Sequence, residues 1–307
     1  MLFFLETVIS GLMAGVMYSL VALGFVLIFK ASGIFNFAQG VFALFAGLAL
    51  YDFISKDGWF YELFGFALPV WLGIIATMGV MVIVAWLVER LVLRHLVNQE
   101  PIILFMSTIG LAYFLEGLGD TLFGSDVKPL DIGLPHGASD FLLDNYNLYV
   151  EKLEVVAAVV AAVLVIVLAI FFQKTRIGRA LRAVADDHQA ALSVGISLRT
   201  IWVIVWSVSG FVALVAGIMW GSKSGIQFSL SLIALKALPV LILGGFTSVP
   251  GAIIGGLIIG VGEKVAEIYV GPFVGGAIEN WFAFMLALVF LLVRPQGLFG
   301  EKIIERV

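Results

Sequence analysis

Residues 155–172 read VVAAVVAAVLVIVLAIFF, a run without one charged or hydrogen-bonding side chain. At 1.5 Å of rise per residue, about 18–20 such residues cross the hydrocarbon core of a bilayer. A barrel strand would show alternating polarity over about ten residues instead. The run therefore reads as a membrane-spanning helix. Its flanks differ in sign. Upstream, residues 124–152 carry Asp126, Asp131, Asp140, Asp144 and Glu151 against Lys128 and Lys152. Downstream, residues 173–199 carry Lys174, Arg176, Arg179, Arg182 and Arg199 against Asp186 and Asp187. The positive-inside rule makes the second loop cytoplasmic and the first external.

Working outward, further apolar runs cover residues 8–29, 35–54, 68–93, 102–123, 201–220, 229–243, 252–268 and 277–293. The expected fold class is an all-α polytopic membrane protein with eight or nine transmembrane helices, forming a single transmembrane domain over residues 1–307. Gly-Gly pairs and Pro250 in the last third suggest broken or re-entrant segments. Glu6 and the absence of a basic residue before Lys30 argue against a cleaved signal, so the first run reads as a retained helix. Arg90 and Arg94, and Arg294, Lys302 and Arg306, place two more regions inside, whereas the acidic loop at 52–62 faces out. The C-terminus is then cytoplasmic and the N-terminus external.

Composition agrees. Of 307 residues, 62% are hydrophobic and 12% charged, too little polar surface for a soluble chain of this length. A net charge of −4 offers nucleic acid no basic stripe. With no cysteine and three separated histidines, no metal centre is expected. Phosphate-loop, metalloprotease and nucleophile-elbow motifs are missing, and the acidic residues near spans (Glu116, Asp120, Glu263, Glu267) are scattered. No catalytic residue and no cofactor in this chain are expected. Transport is the class that remains: a subunit energised by another protein, or alternatively a stand-alone secondary transporter or a channel for a small organic solute.

Three features carry the finer reading. Glycine is abundant, at 34 residues, with four-residue spacings at Gly11/Gly15, Gly217/Gly221, Gly251/Gly255, Gly256/Gly260 and Gly271/Gly275 that suit close helix packing. An internal echo relates GIFNFAQG at 33–40 to GGFTSVPG at 244–251, each leading into a helix rich in small residues, as in transporters built from repeated halves. Finally, TRIGRALRAVADDHQAALSVGI at 175–196 predicts two short amphipathic helices closed by Gly195. Such a segment could anchor to lipid headgroups or dock a cytoplasmic motor.

Candidate pathway residues follow from polarity within spans. Asn36 and Gln39, with Thr247 and Ser248 at the matching place in the echo, either cap helix ends or line the pathway. Ser107 and Thr108 bond local backbone or join them. Lys236, inside a span, either snorkels or pairs with Glu263 or Glu267, and is expected to point into the bundle. Trp59, Tyr61, Trp202 and Trp281 read as interfacial aromatics.

Several of these segments resemble the LivH-type permeases of branched-chain amino-acid ABC importers. SGIFNFAQG at 32–40 is similar to that family's SGxxNFAxG element. The 175–196 loop resembles its coupling loop, with Gln189-Ala190-Ala191 and Gly195 at the spacing of the EAA---G signature. KALPVLILGGFTSVPGA at 236–252 and RPQGLFG at 294–300 resemble two further elements. The resemblance implies alternating access between this chain and a second, LivM-type permease. It also implies two cytoplasmic ATPases that carry ATP and Mg, an external solute-binding protein, and a bacterial inner membrane. Within it, Thr175, Arg176, Arg179, Arg182, Gln189, Ala190, Ala191 and Gly195 would contact an ATPase. Gln39 stands where the family commonly has His, and Val41 where an acidic residue is frequent. That less polar face leaves room for less polar carboxylates, aromatic ones included, beside the branched-chain amino acids and related small carboxylate or amide solutes that the resemblance implies.

Overall fold

The computed structural model describes residues 2–96, 99–186 and 188–300. Lys302 and Arg306, invoked above for orientation, lie outside them. The elements run α1 (Leu2–Ser32), α2 (Gln39–Ile54), α3 (Trp59–Phe64), α4 (Val70–Leu91), α5 (Pro101–Phe123), α6 (Asp140–Tyr146) and α7 (Lys152–Lys174). Then follow α8 (Arg176–Asp186), α9 (His188–Ser193), α10 (Leu198–Ser224), α11 (Ile233–Gly244), α12 (Val249–Tyr269), α13 (Gly271–Val274) and α14 (Glu279–Val293). Among the described residues no strand forms, only two isolated bridges, Lys128 with Ile226 and Ala138 with Glu151. The all-α polytopic expectation holds.

Among the described residues, six helices are long and apolar enough to cross a bilayer: α1, α4, α5, α7, α10 and α12. The other three expected crossings are shorter. Residues 35–38 are not helical, so α2 has 16 residues. The run at 229–243 divides into a 3-10 turn, Phe228–Leu232, and the 12-residue α11, and α14 has 15 residues. Local chemistry sets the boundaries. Pro101 opens α5, where its missing N–H costs nothing, and Ser248 caps α12 by accepting from the Gly251 amide at 3.0 Å.

The chain forms two compact units. One comprises Met1–Val26, Gly133–Val163 and Leu235–Val307. In it α1 and α12 cross at the expected glycine pairs: a Cβ on Gly15 would fall 2.3 Å from the Gly256 oxygen, and one on Gly260 would fall 2.3 Å from the Gly11 oxygen. Backbone meets backbone there, and the small residues serve packing. Ser19 fills the same crossing, donating to the Gly15 oxygen at 2.8 Å within its own helix.

The other unit comprises Leu27–Ile132 and Leu164–Ala234. Its centre is α2, packed by α10, α4 and α5, with 13 of its 16 residues buried. Such all-round burial explains why α2 carries no polar stripe. Trp202 corrects the aromatic-belt expectation: it lies 5% exposed on the buried side of α10, whereas Trp59 and Trp281 are open. In α7, the apolar Val159, Ile166 and Ile170 are exposed, the surface a bilayer would cover.

Candidate functional site

The echoed segments share a local geometry. After α1, Gly33 takes a left-handed φ of 67°, residues 34–38 run irregularly, and α2 starts at Gln39. After α11, Gly245 takes a φ of 101° and residues 246–248 turn before α12 starts. Both are helix, left-handed glycine, short break, helix. A break frees backbone groups that a membrane protein must satisfy internally, and each break does so differently.

In the first, side chains supply the bonds. The Asn36 Oδ1 accepts from the Ala38 amide at 3.1 Å, and its Nδ2 donates to Gln39 Oε1 at 3.4 Å. Gln39 Oε1 also accepts from Ser209 Oγ of α10 at 2.8 Å. Thr108 of α5 accepts from the Phe37 amide at 3.0 Å and lies 3.0 Å from the Phe35 carbonyl oxygen. All four side chains are buried. The structure thus brings Asn36, Gln39 and Thr108 together and adds Ser209, which sequence reading missed because a lone serine in an apolar helix ordinarily bonds its own i−4 carbonyl. Ser107 does act locally, on the Leu104 oxygen at 2.6 Å. The second break relies on backbone: Gly244 and Gly251 approach so closely that a Cβ on either would fall within 2.2 Å of the other's oxygen. Ser248 caps α12, and Thr247 lies half-buried in the turn.

Lys236 points into its unit. Its ammonium pairs with Glu263, which is 1% exposed, and donates to the Glu279 carbonyl at 2.8 Å. It also lies 5.9 Å from the centroid of the Tyr18 ring, whose hydroxyl bonds Glu263. Beside them Lys264 pairs with Glu279 at 2.9 Å, and Glu267 accepts from the Ala277 and Glu279 amides at 3.0 and 2.9 Å. The scattered acids of α12 thus converge in space. Of the two partners expected, Glu263 takes the lysine and Glu267 secures the start of α14. Tyr18, Lys264 and Glu279 were unforeseen; the spacing of Glu263 and Glu267, one helical turn apart, was the available signal.

The 175–196 loop folds as the two short helices expected. Thr175 forms the corner between α7 and α8, donating to the Phe171 oxygen at 2.6 Å and accepting from the Gly178 amide at 2.9 Å. Gly178 is required by proximity, since a Cβ would fall 2.3 Å from the Phe171 oxygen. Arg176, Arg179 and Arg182 share an exposed face of α8, opposite the buried Leu181 and Val184. At the end of α9, Gly195 adopts a φ of 85°. Its amide bonds the Leu192 oxygen and the Ile196 amide bonds the Ala191 oxygen, both at 3.0 Å, the double closure of a Schellman motif. Ala190 is exposed, but Ala191 is turned inward, 2% exposed. The surface is instead apolar at Ile177, Leu192 and Val194, which are 39%, 51% and 74% exposed. The side chain of Gln189 lies outside the described part.

In the 124–152 loop, Lys152 pairs with Asp140 at 2.7 Å. The hydrogen bond and charge of that lysine hold the Asp140 carboxyl below its ordinary range.

The family described as "Branched-chain amino acid transport system / permease component" matches residues 7–294. The high-affinity branched-chain amino acid transport system permease protein LivH of Escherichia coli K12 is 27% identical, over 100% of this chain and 98% of its own length. The corresponding protein BraD of Pseudomonas aeruginosa is 28% identical, over 99% of this chain and 98% of its own. A solved structure titled PsaBC from Streptococcus pneumoniae in complex with Fab covers 92% of this chain and 89% of its own, with 14% identity and a TM-score of 0.46.

Proposed function

Because the chain belongs to this family of branched-chain amino acid transport system permease components, we propose that it is the membrane subunit of an ABC importer for branched-chain amino acids or closely related small carboxylate or amide solutes. The observation that carries the proposal is the family match, which runs unbroken through both compact units and supports their acting as one permease domain. The chain forms half of an alternating-access pathway, and a second, LivM-type permease forms the rest. A solute-binding protein delivers substrate from outside, and two ATPases bind beneath and hydrolyse ATP with Mg. This subunit hydrolyses nothing.

In this reading the α8–α9 segment is the ATPase contact, with Thr175 and Gly178 fixing its angle and Gly195 its end. Arg176, Arg179, Arg182 and Ala190 face outward beside the apolar Leu192 and Val194, a surface suited to a protein cleft. The buried Ala191 shapes the segment from within. The break residues Asn36, Gln39, Thr108, Thr247 and Ser248, with Ser107 and Lys236, belong to elements that shift as the pathway opens. An external N-terminus and a cytoplasmic C-terminus require an odd number of crossings. Six long helices then leave an odd number of the three shorter segments to cross. The direct test is co-purification. Tagged chain expressed with its neighbours should retain two ATPase subunits and one second permease; a chain that purifies alone from such cells, yet transports, would overturn the assignment.

A further inference from the structure

Asp52 is an unusual residue to find in the last turn of α2, where the helix dipole disfavours negative charge. It is 4% exposed. The carboxylate accepts from the backbone amides of Trp59 and Phe60, but its Oδ2 is buried without a donor. A buried carboxylate oxygen left unpaired is costly. Two other buried acids, Glu89 and Glu263, also have one such oxygen, but neither borders this region. Asp52 lines a half-open cavity of about 270 Å³ within its unit, on the side that the charge bias of the loops assigns to the exterior.

The rest of the lining adds two further carboxylates, Asp57 and Glu62, and residues of three other kinds. Lys128 supplies a cation; it lies over the Tyr51 ring, 5.7 Å from the centroid, and is fixed by its backbone bridge to Ile226. Tyr51 and Trp59 supply aromatic faces, which attract an ammonium group. Leu48 and Phe123 supply an apolar wall. With three carboxylates to one lysine the cavity favours an ammonium group, while Lys128 and the apolar wall suit the carboxylate and side chain of an apolar amino acid.

We propose that this cavity is an external waiting site for an apolar α-amino acid, in which Asp52 receives the ammonium, Lys128 the carboxylate, and Leu48 and Phe123 the side chain. The identity of the ligand rests on the transport reading above; the ammonium site itself rests on the cavity. Gly58 lies against Asp52, where a Cβ would fall 2.6 Å from Oδ1. Because Oδ2 is closed to bulk water, its surroundings must rearrange for the ammonium group to reach it.

Saturation-transfer NMR on the full chain in nanodiscs tests this, with L-leucine, 3-methylbutylamine and 4-methylpentanoate as probes. Asp52→Asn keeps an acceptor for the Trp59 and Phe60 amides while removing the charge. It should weaken leucine and the amine roughly tenfold. Lys128→Met should weaken leucine and the acid but spare the amine. Equal leucine and amine signals in wild type and a folded Asp52→Asn would overturn the site. If that variant fails to fold, Trp59→Ala replaces it, and an amine signal unchanged there overturns the site equally. ATP-driven leucine uptake by the wild-type importer, measured in parallel, separates the two readings. Absent uptake contradicts the transport reading while Asp52-dependent amine binding still upholds the site. Normal uptake with Asp52-independent binding overturns the site alone.

Discussion

At the scale of single residues, the charged groups of α11, α12 and α14 are held by partners rather than by solvent. Lys236 retains 22% side-chain exposure and Glu263 only 1%, so removing the lysine strands a buried carboxylate. Lys236→Leu should cost about 2–3 kcal/mol, toward the low end for breaking a buried pair because the lysine is partly exposed. Replacing both Lys236 and Glu263 by leucine should recover most of that loss. Thermal unfolding in nanodiscs measures both, and a double variant no better than the single would show that the pair is not one unit. Asp140 offers a test in pH. Its carboxyl is held low by Lys152, so the stability it contributes is present above the ordinary carboxylate pKa and is lost as pH falls through its depressed value. Protection of the Ser139 amide against exchange, relative to its intrinsic rate at each pH, rests partly on its bond to the Val150 oxygen at 2.8 Å and should therefore fall below about pH 4, and Asp140→Asn should remove that step. Sequence made Asn36, Gln39 and Lys236 conspicuous because polar groups in apolar runs need partners. It could not give the partners: Ser209 lies 170 positions from Gln39, and only the packing of α10 on α2 brings them together.

At the scale of elements, the α8–α9 segment was legible because helix formers, alternating faces and a closing glycine all agree locally. Its inward and outward sides were less so. Ala191 was among the residues expected to contact an ATPase, but it packs inward, while Leu192 and Val194 are 51% and 74% exposed. The two sides make opposite demands on mutation. Val194→Glu should leave the chain's unfolding midpoint within about 0.5 kcal/mol of wild type, as for other surface changes, yet release the ATPases or uncouple hydrolysis from uptake. Ala191→Glu should destabilise the segment itself, since it buries an unpaired charge. Unfolding curves beside coupled ATPase and uptake assays separate them; a Val194→Glu protein with normal coupling would make this surface a membrane anchor only. The two helix breaks were partly legible too. Shared glycines and phenylalanines marked their places, but the first is braced by amide side chains and the second by backbone contact between Gly244 and Gly251. No pattern of residue types distinguishes those solutions without the fold.

At the scale of the molecule, apolar length and loop charge were enough to establish an all-α membrane protein, and six of the nine runs are helices of spanning length. The remaining three were harder to read because a few polar residues within an apolar run do not report where a helix breaks: residues 35–38 and 228–232 lie within or beside apolar runs but leave the α-helix. Membership of the permease family was carried by four ordered motifs. Each motif has a place in the fold, at the two breaks, in the α8–α9 segment and in the 294–300 segment. In the last, the Leu298 amide bonds the Leu243 oxygen at 2.8 Å, holding the terminal motif against the second break. The central claim is that this chain moves solute only when driven by partner subunits. Its most direct test is leucine uptake into proteoliposomes holding the chain with its second permease and ATPases, with the solute-binding protein outside and ATP inside. Accumulation that disappears when ATP, the ATPases or the binding protein is omitted is the expected result. Uptake of equal rate by the chain alone, without nucleotide, would contradict it.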